Sequence, residues 1–314
     1  MNETNLQAAR SSPPRYVVVT PVRDEAARLQ RTIDSVAAQT VRPAEWLIVD
    51  DGSRDATPEI VTRATRMHPW IHLHRRGDRG ERKLGGGVVE AFYDGLGYLR
   101  TQDYEYLCKL DGDLAFGPHY FENLFDRFAA QPDLGTASGK TYIEHKGRWI
   151  PERFGDEFSF GGAKLYRREC FEAIGGFVPE VMWDGIDCHR CRMLGWQARS
   201  IDDPELTLYH LRQMGSSHRS IFHGRLRWGR GQWFMGSHPL YILASSVYRM
   251  ADPPYLLGGF CLGLGYFLAW LRRSPRYADL EFRKHLRRWQ LARLRTLVFK
   301  SHTQQSSAEP RRTQ

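Results

Sequence analysis

The stretch YEYLCKLDGDLAF, residues 104–116, reads as a short buried strand that stops at two carboxylates one residue apart, Asp111 and Asp113. Leu107, Cys108 and Leu110 supply the apolar run, and Gly112 lets the backbone turn between the acids. In an open α/β sheet, ligands bind outside the carboxyl ends of the strands. Two acids placed there can share one hard divalent cation with substrate phosphates, because Mg²⁺ or Mn²⁺ takes one or two carboxylates plus phosphate oxygens. A plain Asp-Gly-Asp surface turn is the structural alternative.

Upstream, YVVVTPVRDE (16–25) gives a buried first strand, Tyr16 to Val19, with Pro21 expected to stop it and Asp24 and Glu25 just beyond. Leu29, Ile33 and Val36 then recur at helical spacing. WLIVDDGSRDAT (46–57) is a second strand ending on Asp50 and Asp51, acids placed to accept hydrogen bonds from a nucleobase or ribose. Two adjacent like charges need a partner to offset their repulsion. Thr57 before Pro58 predicts an N-cap and first turn for a helix through Met67. A third strand, Ile71–Leu73, leads into RRGDRGERKLGGG (75–87). Its glycines beside Arg82 and Lys83, ahead of a helix from Val88 to Leu99, suit a diphosphate cradle.

Taken together, PVRDE, a strand ending DDGSRDAT, a Gly-rich loop before a helix and a strand ending DGD resemble the family 2 glycosyltransferases. The likeness continues through GGAKLYRRECFEAIGGF (161–177) and VMWDGIDCHRCRMLGW (181–196), and so covers about residues 15–215. It implies an α/β GT-A fold with Mn²⁺ or Mg²⁺ as cofactor. It also implies inverting transfer from a nucleotide-sugar donor to a hydroxyl or phosphate acceptor. By the same resemblance Asp50 and Asp51 hold the nucleoside, with Asp24 in the same pocket. Lys83 and Asp111 contact the donor, and Asp111 and Asp113 hold the metal-diphosphate, Asp113 ahead of Asp111 as direct ligand. His210, at the end of an alternating run, is a further metal candidate, and His218 and Arg219 are weaker diphosphate candidates. The family's acid pair before its catalytic helix is altered here, because Trp183 fills the Glu position. Asp184 then falls on the catalytic base, with Asp187 its competitor and the better fit to a simple helix cap. Such a base takes a proton from an acceptor hydroxyl too weakly acidic to attack unaided.

Beyond residue 220 the composition changes. RLRWGRGQW (225–233) lacks the Gln of a processive QxxRW signature, since Gly224 stands three before Arg227, so single addition is expected. YLLGGFCLGLGYFLAWL (255–271) is uncharged and apolar yet short for a span. A following helix, Asp279 to Phe299, sets Phe282, Leu286, Trp289, Leu294 and Leu297 against many arginines, as an interfacial helix would. The net charge of +9 concentrates here, with ten Lys and Arg against two acids from Arg272 to Lys300. The expected organisation is a disordered N-terminus (1–13), a GT-A domain (14–220), an aromatic and basic helical membrane-associating region (221–300) and a disordered tail (301–314).

The five cysteines are scattered, with one CxxC (Cys188, Cys191), which argues against a disulfide framework and for a reducing compartment. No apolar leader is visible in residues 1–14. The expected partners are a nucleotide-sugar donor, a glycan or lipid-linked acceptor in cell-surface glycan synthesis and an anionic membrane surface at its cytoplasmic face. No nucleic acid is expected. The rivals are a nucleotidyltransferase, which attacks phosphorus and for which PVRDE offers only Arg23, and a non-catalytic nucleotide- or nucleic-acid-binding protein.

Overall fold

Val17, Val18 and Val19 are all buried, on both faces of one strand, as a parallel strand covered by helices on each side requires. The structure, a computed structural model, describes residues 13–78, 80, 85–145, 147–152, 154–212, 221–251 and 255–306. The first strand and its successors are β1 (Tyr16–Val22), α1 (Leu29–Ala37), β2 (Glu45–Asp50), α2 (Thr57–Met67), β3 (Ile71–Arg75) and α3 (Gly86–Tyr98). Then come β4 (Tyr106–Leu110), β5 (Leu114–Phe116), α4 (Tyr120–Ala130), β6 (Leu134–Gly139) and the hairpin β7 (Thr141–His145) and β8 (Arg148–Pro151). The first unit closes with β9 (Ala163–Arg167), α5 (Arg168–Ala173), α6 (Trp183–Met193), β10 (Gln197–Ile201) and β11 (Leu208–His210).

Seven strands form one sheet in the order β10-β6-β9-β4-β1-β2-β3. β9 alone runs antiparallel, to β4 on one side and β6 on the other. One face buries α1, α2 and α4 over Tyr16, Trp46, Phe121 and Phe125. The other buries α3, α5 and α6 over Phe92, Tyr166 and Phe177. A smaller sheet, β5-β11-β7-β8, continues from the turn after β4. The result is a mixed α/β fold of the GT-A kind, with acids at the ends of β2 and β4.

Two local expectations change. β1 continues through Pro21, which faces Val49, because the pairing of β1 with β4 has already ended at Val19 and no neighbour there needs an N–H. Thr57 is the first residue of α2 rather than its cap. Its hydroxyl instead receives the Glu25 N–H at 2.9 Å, and Asp55 accepts the Thr57 N–H at 3.0 Å.

The chain divides into two compact units, residues 1–214 and 215–314, slightly before the expected boundary. The second unit holds α7 (Ile221–Met235), α8 (Pro239–Arg249), α9 (Leu257–Leu271) and α10 (Leu280–Ser306), so helix passes the expected tail boundary at Ser301. Trp233, Ile242, Tyr266 and Ala269 are its core. Phe282 and Leu286 of α10 are fully buried, and Gln290 bonds the His238 N–H and Ser237. Two positions of the apolar stripe of α10 are therefore buried, while Trp289 and Leu294 are half-buried. Among the described residues no helix is long and apolar enough to cross a membrane.

Candidate active site

The turn after β2 is held by its own acids. Asp50 is wholly buried; one carboxylate oxygen accepts the Ser53 N–H at 2.9 Å, while Oδ2 lies 3.4 Å from Arg75 Nε. Gly52 adopts φ +80°, and a Cβ there would meet Asp78 Cα at 2.8 Å. Asp51 pairs with Arg76 at 2.6 Å, and Arg76 is oriented by Asp94 at 2.9 Å, which also meets His74 at 3.0 Å. Arg75 and Arg76, at the end of β3, thus neutralise the two acids. Asp24 also adopts a left-handed φ of 55°, offset by hydrogen bonds: it accepts the Arg54 N–H at 2.8 Å, and its own N–H reaches Ser53 Oγ at 3.0 Å. Asp24 and Asp51 therefore flank one turn, with Asp50 as its buried support. Lys83, His218 and Arg219 lie outside the described residues.

At the end of β4, Asp111 is half-exposed and bonds Lys109 Nζ. Asp113 is buried, 3.7 Å from His210 Nε2 and 2.6 Å from Arg212 Nη2. Glu152 takes the other ring nitrogen of His210 at 3.0 Å, and Glu25 holds Arg212 at 2.9 Å. Burial would raise the Asp113 carboxyl, but the nearby His210 and Arg212 overcome it and hold it down to about 2. For His210 burial would lower the imidazole, yet the two carboxylates push it up to about 9. The buried Asp113 Oδ1 has no hydrogen-bond partner among the described residues. The carboxylates of Asp111 and Asp113, with Asp113 Oδ1 unused, fit a divalent cation bound with phosphate oxygens, and His210 joins them as a ligand only on losing its ring proton. Arg212 now supplies the positive charge, and among the described residues no ready three-ligand cage has formed. Beyond His210 and Arg212 a cavity of about 310 Å³ opens, walled also by Arg31, Glu144 and Trp149.

The third cluster separates the two base candidates. Asp187 is 1% exposed, and its Oδ2 receives both Lys164 Nζ and Tyr166 OH at 2.5 Å. It neither caps α6 nor faces a cleft. Asp184, in the first turn of α6, is half-buried and carries no ion pair among the described residues. Its carboxyl is raised, first by burial and then by the charge of Asp187, against the pull of Lys164 and Lys109. A Cβ on Gly161 would meet Asp184 Oδ2 at 2.8 Å, and one on Gly162 would meet Asp111 Oδ2 at 3.1 Å. The glycine pair therefore brings the α6 acid and the β4 acid to one turn. Lys109 ties that turn down, bonding Asp111 and the Gly161 carbonyl (2.9 Å) with its ammonium 5.1 Å from the Trp183 ring.

Lys109, Lys164, Tyr166, Glu25, Glu152, Arg75, Arg76 and Arg212 were not singled out as site residues from the sequence. A signal existed for the lysines: each interrupts an apolar strand, YLCKL and AKLYR, and a buried charge needs a partner. The CxxC cysteines are buried in α6; Cys188 lies 3.2 Å from Lys164 Nζ, and Cys191 sits 3.6 Å from Cys170.

Comparison with known proteins accords with this layout. The glycosyl transferase family 2 profile matches residues 17–182, more than half of the chain. The poly-beta-1,6-N-acetyl-D-glucosamine synthase of Staphylococcus aureus is 26% identical over 124 residues, 39% of this chain and 27% of that protein. Glycosyltransferase AglD of Haloferax volcanii is 30% identical over 212 residues, 58% of this chain and 31% of that protein. The chain thus spans under a third of the length of these curated relatives. A solved structure of the mannosyltransferase PcManGT from Pyrobaculum calidifontis, in complex with GDP-Man and Mn²⁺, superposes with a TM-score of 0.52 at 18% identity. That match covers 92% of this chain and 81% of the other, and it speaks to the fold. The chain belongs to the family 2 glycosyltransferases and has their GT-A fold.

Proposed function

We propose that this chain transfers a sugar from a nucleotide-sugar donor to a hydroxyl or phosphate acceptor by direct displacement, inverting the anomeric centre. The observation that carries this is the division of labour between two acids of one helix: Asp187 is consumed by Lys164 and Tyr166, while Asp184 meets the same Gly161–Gly162 turn as Asp111. A carboxylate raised by burial is a stronger base than an ordinary one. Asp184 takes the acceptor proton as the new bond forms, and the donor departs as a nucleoside diphosphate on the β4 side. Asp24 and Asp51 bind the nucleoside, and Asp50 holds their turn. Asp113, Asp111 and His210 hold Mn²⁺ or Mg²⁺, which when bound neutralises charge on the departing diphosphate. Mn²⁺ and GDP-Man in the PcManGT structure support that choice of ligand class.

The acceptor we favour is lipid-linked, in cell-surface glycan synthesis, with the second unit meeting an anionic membrane at its cytoplasmic face. The names of the S. aureus and H. volcanii relatives point to glycan assembly, and five free cysteines suit a reducing compartment. Thermal stability should be measured with each nucleoside diphosphate and sugar nucleotide, with and without Mn²⁺ or Mg²⁺. A metal-dependent rise with one nucleotide, lost in Asp113→Ala, is expected. No rise with any nucleotide at saturating metal would overturn the transferase assignment. With a turnover assay in hand, NMR of the product's anomeric proton tests inversion.

A further inference from the structure

Around a core of Trp233, Ile242 and Tyr266, the helices α8 and α9 of the second unit turn a row of large apolar residues outward. On α8, Leu240, Leu243 and Val247 follow one another at helical spacing, and on α9 Phe260, Phe267 and Trp270 do the same. Each of these six is between 50% and 63% exposed. The faces turned inward carry glycine. A Cβ on Gly259 would lie 2.0 Å from the Ser246 carbonyl oxygen of α8, and one on Gly265 would lie 2.2 Å from the Leu226 carbonyl oxygen of α7. Backbone approach through glycine, with bulky side chains facing outward, is how helices associate in lipid, where apolar side chains lose nothing by exposure. A water-exposed helix shows the reverse arrangement.

Lengths decide the depth. α8 has 11 residues and α9 has 15, or about 17 and 22 Å at 1.5 Å per residue. A hydrocarbon core of about 30 Å is out of reach of either. No charged residue occurs within α9, yet exposed Arg272 and Arg273 follow directly after Trp270 and Leu271. An indole and two guanidinium groups at the end of an apolar helix match the headgroup layer of an anionic leaflet. We infer that α8 and α9 form a hairpin that lies along one leaflet of an anionic phospholipid bilayer, its outward apolar faces among the acyl chains and Arg272–Arg273 at the phosphates. This deepens the membrane part of the proposed function and moves it from α10, whose Phe282 and Leu286 are buried, to α8 and α9.

The full chain should be floated with vesicles of phosphatidylglycerol and phosphatidylethanolamine. An inserted hairpin stays bound at about 1 M NaCl, where the Debye length is about 3 Å and electrostatic adsorption fails. Brominated acyl chains should quench Trp270 fluorescence, read as the difference between the parent and Trp270→Phe. The quadruple variant L243E/V247E/F260E/F267E should lose flotation about tenfold or more, while its nucleotide-dependent thermal shift is retained. Release of the parent by salt, flotation of the quadruple variant like the parent, or no quenching would overturn the hairpin and leave membrane association itself standing. A parent that ignores vesicles and sediments as a discrete dimer, dispersed by the same substitutions, would overturn both and assign the face to a second copy. The nucleotide shift then still judges the transferase separately.

Discussion

Lys109 and Lys164 stand directly opposite one another on β4 and β9, two buried ammonium groups in cross-strand register. Like charges so placed are destabilising unless each has its own counterion. Lys109 has Asp111, just past the end of β4, and Lys164 has Asp187, on the same helix as Asp184. Lys164 also bonds the Asp184 carbonyl at 2.9 Å, so the lysine that neutralises one acid positions the backbone of the other. The pair joins the two halves of the site through the middle of the sheet.

Breaking one member of that arrangement should be costly. Lys164→Met leaves Asp187 buried with its charge unmatched, which should lower stability by about 3–5 kcal/mol. Adding Asp187→Leu removes the stranded charge and should recover more than half of the loss. Urea denaturation of the two variants checks this. Equal destabilisation of the single and double variants would mean that the ion pair is not what the fold depends on.

Asp184 and Asp187 should respond oppositely to neutralisation. The Asp184 carboxyl is raised by burial, so its ionised form is the strained one. That penalty is absent below the unfolded-state value of about 3.9 and complete once pH exceeds the raised folded value. Asp184→Asn should therefore raise the melting temperature at pH 7, the difference shrinking toward pH 4, while turnover falls about 10²–10⁴-fold. Asp187→Asn should lower the melting temperature instead. A stable, active Asp184→Asn would remove Asp184 as the base.

Much of the site was readable because its acids are contiguous with recognisable strand ends: DGD after β4, DDGS after β2. What was not readable is what neutralises them. Arg212 reaches back to Glu25 and Asp113, Glu152 reaches forward to His210, and Lys164 crosses a strand and a helix to Asp187. Such pairings are set by the order of strands in the sheet, and local spacing carries no record of them. The choice between Asp184 and Asp187 likewise turned on burial, since both acids sit near the start of one helix. Phe282 and Leu286 show the same limit: their stripe reads alike whether its partner is lipid or protein.

Arg212 stands where a cation is wanted, 2.6 Å from Asp113 and 2.9 Å from Glu25. Without it, Asp113 and Glu25 lose the cation they share, and His210 is left as the nearest positive charge to Asp113. Arg212→Met should lower the melting temperature of the metal-free protein and enlarge the rise produced by Mn²⁺. Differential scanning calorimetry with and without Mn²⁺ measures both. An unchanged Mn²⁺ increment would show that Arg212 and the metal do not compete for Asp113.

Gly161 and Gly162, adjacent in sequence, meet Asp184 and Asp111 respectively, the acids proposed for base and donor. A methyl group on Gly161 presses on Asp184 Oδ2, and one on Gly162 presses on Phe160 Cε1 at 2.4 Å and Asp111 Oδ2 at 3.1 Å. Neither glycine has a positive φ, so alanine brings crowding without backbone strain. Gly161→Ala should displace the base by a few tenths of an ångström, lowering kcat by roughly tenfold with the donor KM unchanged. Gly162→Ala should act on the donor side, raising the donor KM and weakening the metal-dependent thermal shift. Steady-state kinetics of both variants against donor concentration tests the division. If Gly161→Ala moved the donor KM and Gly162→Ala moved only kcat, the roles assigned to Asp184 and Asp111 would have to be exchanged.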